Sequence, residues 1–297
     1  MSKNVQQTSQ SSWAASAASA ASIASATSVA AAGRVSVDSH FHIFKTAQSV
    51  PGARYTPTYD ASFADWKARA AAVAVTHGVL VQTSFMGNDN RLLLAQLALQ
   101  PHTLRGVAVV SPNTTIDALR ALHTQGVRGI RLNMAGQSHD MAVWAAASGL
   151  WDALLALGWH VELHTDTGRL ADVMAALPLA IPLVLDHFAK PAAASLHDET
   201  VVAVRRRRTA EQGNSIHVKL SAPYRLNNPE QAKALSQLWL AELGPQSLLW
   251  GSDWPSTNHE TLANYPELHD ALGDWLADRG HLLAMVVTEN PLRLYWS

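Results

Sequence analysis

Eight short apolar runs recur along this chain, and each is followed by a stretch of helix-forming composition. The runs cover residues 35–39, 78–82, 106–110, 129–132, 160–164, 183–187, 217–220 and 248–251. A strand that is apolar along its whole length is buried on both faces, as in a parallel sheet covered by helices. Eight such units make a closed (β/α)₈ barrel, which needs roughly 250 residues. An open doubly wound sheet fits less well, because no glycine-rich phosphate loop follows the first run. The chain is therefore predicted to be an α/β protein with a single TIM-barrel domain over residues 34–297. Helices are expected at 90–100, 116–124, 143–157 and 170–176. The Asn88-Asp89-Asn90 segment reads as a turn and helix cap.

Residues 1–33 stand apart, since Ser11 to Gly33 is almost entirely Ala and Ser. Such a segment has little apolar surface to bury and reads as a disordered tail. A targeting peptide fits less well, because Lys3 is the only basic residue before Arg34. With 22 basic and 23 acidic residues the net charge is -1, so no global field draws in nucleic acid or an anionic membrane. No apolar run approaches the roughly 20 residues of a membrane helix. The absence of cysteine excludes disulfides, thiolate catalysis and zinc–cysteine sites. These features suit a cytoplasmic protein, and a homo-oligomer is compatible with them. The run Arg205–Arg208 is expected on the solvated face of an outer helix.

The chemistry gathers at the run ends. The first run leads into Asp38-Ser39-His40-Phe41-His42, and side chains two apart on a strand share a face, so His40 and His42 can converge. His164 closes the fifth run, His187 the sixth, and Asp253 follows the eighth. Each is a polar residue at the carboxyl end of an apolar run, where barrels build their active sites. A pair of satisfied core histidines is the plain alternative for any two of these, but it does not explain five at the same relative position. Imidazoles with a carboxylate suit one divalent ion, zinc first. Asp253 could then act as general base. A metal-free hydrolysis needs the same residues, with histidines donating to the developing oxyanion.

A second set looks suited to substrate: Ser84 after the second run, Arg131 in the fourth, Lys190 after the sixth, and Tyr224 and Arg225 after the seventh. Arginine forks pair with carboxylates, which implies a small anionic substrate. Arg128, on the opposite face from Arg131, is expected to make surface salt bridges.

Segments 38–42, 54–57, 81–91, 105–112, 126–133, 185–191, 219–226, 249–258 and 290–297 resemble, in order, the amidohydrolase-related lactonases of the amidohydrolase superfamily, the group of the pyrone-dicarboxylate hydrolases. The resemblance implies a TIM barrel that hydrolyses a carboxylated lactone. It implies His40, His42, His187 and Asp253 as the catalytic core, and Tyr55, Ser84, Arg131, Arg225 and Asn258 at substrate-contacting positions. This chain departs from that pattern. His164 stands where those enzymes carry a tyrosine, Met86 where they carry a histidine, and Gln137 and Lys190 where they carry arginines. His164 is the ligand type of metal-dependent relatives, so His40, His42, His164 and Asp253 are expected to hold one zinc or manganese ion. A metal-dependent decarboxylase of a carboxylated unsaturated acid is the alternative activity for the same pocket. A non-enzymatic binding protein would leave an inward carboxylate facing several histidines without a use.

Overall fold

A computed structural model describes residues 35–210 and 215–297. The Ala/Ser-rich segment 1–33 lies outside the described residues. Eight strands run in one parallel sheet in the order β1-β2-β3-β4-β5-β6-β7-β8. They are β1 (Val37–Phe41), β2 (His77–Val81), β3 (Leu104–Ala108), β4 (Val127–Asn133), β5 (His160–His164), β6 (Leu183–Leu185), β7 (Ile216–Ser221) and β8 (Leu248–Gly251). The sheet closes on itself just beyond β8, where Asp253 N donates to His40 O at 2.8 Å and His42 N donates to Trp254 O at 2.8 Å. Helices lie between the strands, as a (β/α)₈ barrel requires.

The expected runs and the observed strands differ at particular places. β6 stops at Leu185 because His187, Phe188, Ala189 and Lys190 all take positive φ, which no strand tolerates. The helix expected over 143–157 is two, Ala142–Ala145 and Ser148–Ala156. Ser148 and Gly149 are weak helix formers at the break, and Trp151 Nε1 donates to the Trp144 carbonyl at 2.9 Å. Asn88-Asp89-Asn90 does form the turn and cap before helix Arg91–Leu99. Asp89 Oδ1 accepts from Arg91 N, while the Asn90 amide pairs with both backbone groups of Val109 at 2.8 and 3.2 Å. Arg205–Arg208 is not a uniformly solvated face. Arg207 is buried in helix Glu199–Thr209 and donates to the carbonyls of Met174 and Leu177 at 3.0 and 3.3 Å. Those carbonyls lie at and just past the end of helix Leu170–Ala175, where backbone acceptors are in excess of donors. Among the described residues Arg128 makes no salt bridge; it donates to the His123 and Val127 carbonyls.

The largest departure concerns the strand interiors. Outward positions of β4 to β7 are apolar, as read from the sequence: Ile130, Leu132, Val161, Leu163, Leu183, Leu185, Val218 and Leu220 all pack in the core. The alternate positions point into the barrel and are Arg131, His160, Glu162, His164, Val184, Asp186, His217, Lys219 and Ser221, all buried. The lumen thus contains charge where branched aliphatics are the usual filling. Asp38 does comparable work at the β1–β8 seam. Its carboxylate accepts from Ser252 N at 2.9 Å, Ser252 Oγ at 2.6 Å, Trp66 Nε1 at 2.9 Å and Tyr265 OH at 2.9 Å, tying two strands to two outer helices.

The buried histidines give stability a pH dependence. Burial first, with nearby cations adding to it, lowers His160 to about 3 and His217 to about 4. Burial lowers His42 to about 4 as well. These rings stay neutral in the fold but take protons in the unfolded chain near pH 6.5, so stability falls as pH drops from about 6.5 towards 4. Each such histidine contributes about 1.4 kcal/mol per pH unit within that window. Urea unfolding at pH 7.5 and 5.5 should show a loss of several kcal/mol at the lower pH, and equal stability at the two would contradict this account.

Candidate active site

At the carboxyl mouth of the barrel, β1 delivers His40 and His42, and their Nε2 atoms approach to 3.2 Å. His42 Nδ1 lies 2.7 Å from the Val81 carbonyl, which can only accept. His42 therefore carries its proton on Nδ1 and offers a lone pair at Nε2. His40 lies across β8, and only glycine permits that: a Cβ on Gly251 would come within 2.4 Å of His40 Cβ. His187 enters from the turn after β6, where Trp239 Nε1 bonds the Phe188 carbonyl at 2.9 Å and Phe188 packs on Trp275. These contacts hold a run of left-handed residues that would otherwise be costly. His187 Nδ1 lies 3.0 Å from Ser221 Oγ.

Asp253 completes the group, also at positive φ (55°). Its Oδ1 faces the Nε2 atoms of His40 (3.6 Å), His42 (3.6 Å) and His187 (3.8 Å). Its Oδ2 accepts from Tyr224 OH at 2.9 Å and from Arg225 Nε at 2.6 Å. Burial pushes the Asp253 carboxyl up, but Arg225 and the three histidines outweigh it and hold the group well below the usual carboxylate range. Burial likewise drives His187 and His164 well below the usual histidine range. For His40, burial and Lys219 oppose a proton, yet Asp186 and Glu162 prevail and raise its affinity.

Not every candidate from the sequence joins this cluster. Ligand atoms of His40, His42 and Asp253 lie within 4.8 Å of one another, and those of His40, Asp186 and His187 do likewise. His164 stands one ring further out, with its ring centroid 4.7 Å from that of His187 and its Nδ1 3.4 Å from Arg131 NH2. Arg131 faces the lumen and grips Asp186 Oδ2 through Nε (3.1 Å) and NH2 (2.9 Å). Tyr224 and Arg225 are engaged with Asp253, and Arg225 also reaches the Thr257 carbonyl at 3.1 Å. Tyr55, Ser84 and Lys190 lie half-buried in loops at the mouth, and Asn258 is exposed. Met86 is buried in a small apolar cluster with Phe44, Ala61 and Phe85. Gln137 bonds back to the Asn133 carbonyl.

Sequence reasoning missed Glu162, Asp186 and Lys219, although Glu162 sits at alternate spacing to His164 and Asp186 lies directly beside His187; no such spacing pointed to Lys219. It also passed over Arg54. Burial lowers the Lys190 ammonium affinity for its proton, Asp166 opposes this, and Arg225 and Arg54 add to it, so these cations share one electrostatic neighbourhood. A separate cavity of about 440 Å³ lies outside the barrel wall, lined by Asp65, Arg69, Trp254, Glu260 and Tyr265 among others. It backs the loop carrying Asp253, whose carboxylate faces the lumen instead.

The close approach at Gly251 gives a direct test. Gly251→Ala displaces His40 and strains the β1–β8 seam, so turnover per folded molecule should fall at least a hundredfold. Circular dichroism and turnover measured together check this, and wild-type turnover in the variant would contradict the geometry.

Residues 37–296 match the model of the amidohydrolase family Amidohydro_2. Among curated proteins, the chain is 30% identical to a 2-pyrone-4,6-dicarboxylate hydrolase of Comamonas testosteroni, over 88% of this chain and 90% of that one. It is 26% identical to a 4-sulfomuconolactone hydrolase of Rhizobium radiobacter, over 87% and 89% of the two chains. A crystal structure assigned as a 2-pyrone-4,6-dicarboxylic acid hydrolase of Pseudomonas putida superposes with a TM-score of 0.77 at 31% identity, over 88% of this chain and 97% of that one. The barrel, the histidines and carboxylate at its mouth and these likenesses agree, and the chain belongs to the Amidohydro_2 family of amidohydrolases.

Proposed function

We propose that the protein opens a small carboxylated lactone by adding water to the ring ester carbonyl. The observation that carries this reading is Asp253, with one carboxylate oxygen fixed by Tyr224 and Arg225 and the other facing three histidine Nε2 atoms. A carboxylate so held keeps one lone pair aimed at the mouth and cannot swing away. Water lodged against Oδ1 gives its proton to Asp253 as its oxygen bonds the ester carbonyl carbon. The resulting oxyanion is stabilised by an N–H from His187, whose Nε2 has no hydrogen-bond partner among the described residues, and not by His42, whose Nε2 carries no proton. Because Asp253 is a strong acid in this setting, it surrenders the proton readily to the departing ring oxygen. The C–O bond breaks and a ring-opened acid leaves.

An anionic substrate suits the cations around the mouth, Arg54, Lys190 and Arg225. The relatives named for a pyrone dicarboxylate and a sulfomuconolactone support a ring ester bearing acid groups. Gln137, Lys190 and Met86 stand where the resemblance to the pyrone-dicarboxylate hydrolases implies two arginines and a histidine, which favours a different carboxylated lactone as substrate.

The donor set also fits one divalent ion. His42 presents an Nε2 lone pair 3.2 Å from His40 Nε2, and two such lone pairs can face each other only with a proton or a cation between them. Asp253 Oδ1 lies 3.6 Å from both nitrogens, so His40, His42 and Asp253 would hold the ion, with His164 and His187 beside it. Zinc or manganese bound there would polarise the carbonyl and acidify its water.

A screen of carboxylated lactones by pH indicator, with and without added zinc or manganese, tests the activity. Asp253→Asn should lose roughly 10³-fold or more in turnover, the usual loss for a general base. A loss below tenfold would rule Asp253 out as the base.

A further inference from the structure

Beneath the catalytic histidines the lumen holds a second convergence of metal-binding atoms, and a side chain already fills it. His40 Nδ1 lies 3.2 Å from Asp186 Oδ1 and 3.3 Å from Glu162 Oε1. Lys219 Nζ sits among the same groups, 3.0 Å from His40 Nδ1, 3.5 Å from Asp186 Oδ1 and 2.5 Å from Glu162 Oε2. All four side chains are fully buried. An imidazole nitrogen with two carboxylates is the donor set of a divalent ion. The Lys219 ammonium lies within 3.5 Å of all three side chains and supplies at that point the positive charge an ion would bring. The other cation of the lumen, Arg131, occupies the far oxygen of Asp186 at 2.9 Å and lies 3.7 Å from Glu162 Oε1, so it cannot also reach this point.

We infer that Lys219 is a built-in cation occupying a second ion position, formed by His40, Glu162 and Asp186, which limits this centre to at most one divalent ion. His40 spans the two positions, with Nε2 towards His42 and Asp253 and Nδ1 towards Lys219. Without a cation below, Glu162 and Asp186 would be two buried carboxylates sharing one guanidinium, which low-dielectric surroundings penalise heavily. An ion restores the lost positive charge once the ammonium is removed. Lys219 is thus a positioning residue: it touches no substrate, yet it sets the ion count. The upper ion rests on the functional reading above, whereas the lower position does not.

The test compares wild type, Lys219→Ala and Lys219→Arg, each stripped with chelator, reloaded with manganese or zinc, dialysed and assayed for bound metal. The Ala variant should hold one more equivalent than wild type, and its melting temperature should rise by several degrees with added manganese. Lys219→Arg keeps the charge and should gain no ion. If the Ala variant binds no more than wild type, the proposal is overturned. Wild type without metal and variant with one would uphold Lys219 as the resident cation and dismiss the ion at His40, His42 and Asp253. Equal loading of one in both would do the opposite. Should Lys219→Ala fail to fold, the milder Lys219→Gln decides by the same two measurements, and no extra ion there overturns the proposal.

Discussion

The backbone hydrogen bond from Asp253 N to His40 O, with its partner from His42 N to Trp254 O, is the contact on which the rest of this molecule depends. It joins residues more than two hundred positions apart in the chain and closes the sheet. Closure places the Asp253 carboxylate of the eighth unit against the histidines of the first. Asp38 reinforces the seam from the outside, and Gly251 leaves room for His40 on the inside. A side chain at position 251 would break packing and chemistry together, which is why fold and site cannot be treated separately here.

Closure also creates the central electrostatic problem. The lumen encloses Glu162, Asp186, Arg131 and Lys219 with almost no exposure. Burial of any one alone would cost several kcal/mol, and the arrangement is tolerable because each charge meets opposite charge at hydrogen-bonding distance. A paired lumen of this kind contributes little net stability compared with an aliphatic filling. Its value is to the floor of the site, where it orients His40 and keeps its Nε2 directed at the mouth. The aliphatic outer faces of the same strands, with the helices packed on them, carry the stability.

The functional groups sit on strained backbone. His187 and Asp253 both hold positive φ, and neither is glycine. Such conformations persist only when their surroundings over-determine them. Phe188 wedged on Trp275, and the paired bonds from Tyr224 and Arg225, supply that constraint. The result is a carboxylate and an imidazole that cannot relax away from the point where substrate must lie.

Much of this was legible in the sequence. Period-two spacing brought His40 and His42 to one face, and run ends located His164, His187 and Asp253, because strand geometry is local and repeats along the chain. The number of parallel units, and hence the barrel, followed from the same local rule. What the sequence could not display was which polar residue inside an apolar run would find its partner. Glu162, Asp186 and Lys219 lie on three different strands, and Tyr224 and Arg225, read as substrate contacts, turn to Asp253. Those pairings depend on strand order and stagger across the whole barrel, on register and not on composition. The chain by itself determined the strands, their polarity and the kind of chemistry at their ends; only the closed barrel decided who faces whom, because burial makes each charge choose the nearest opposite one in space.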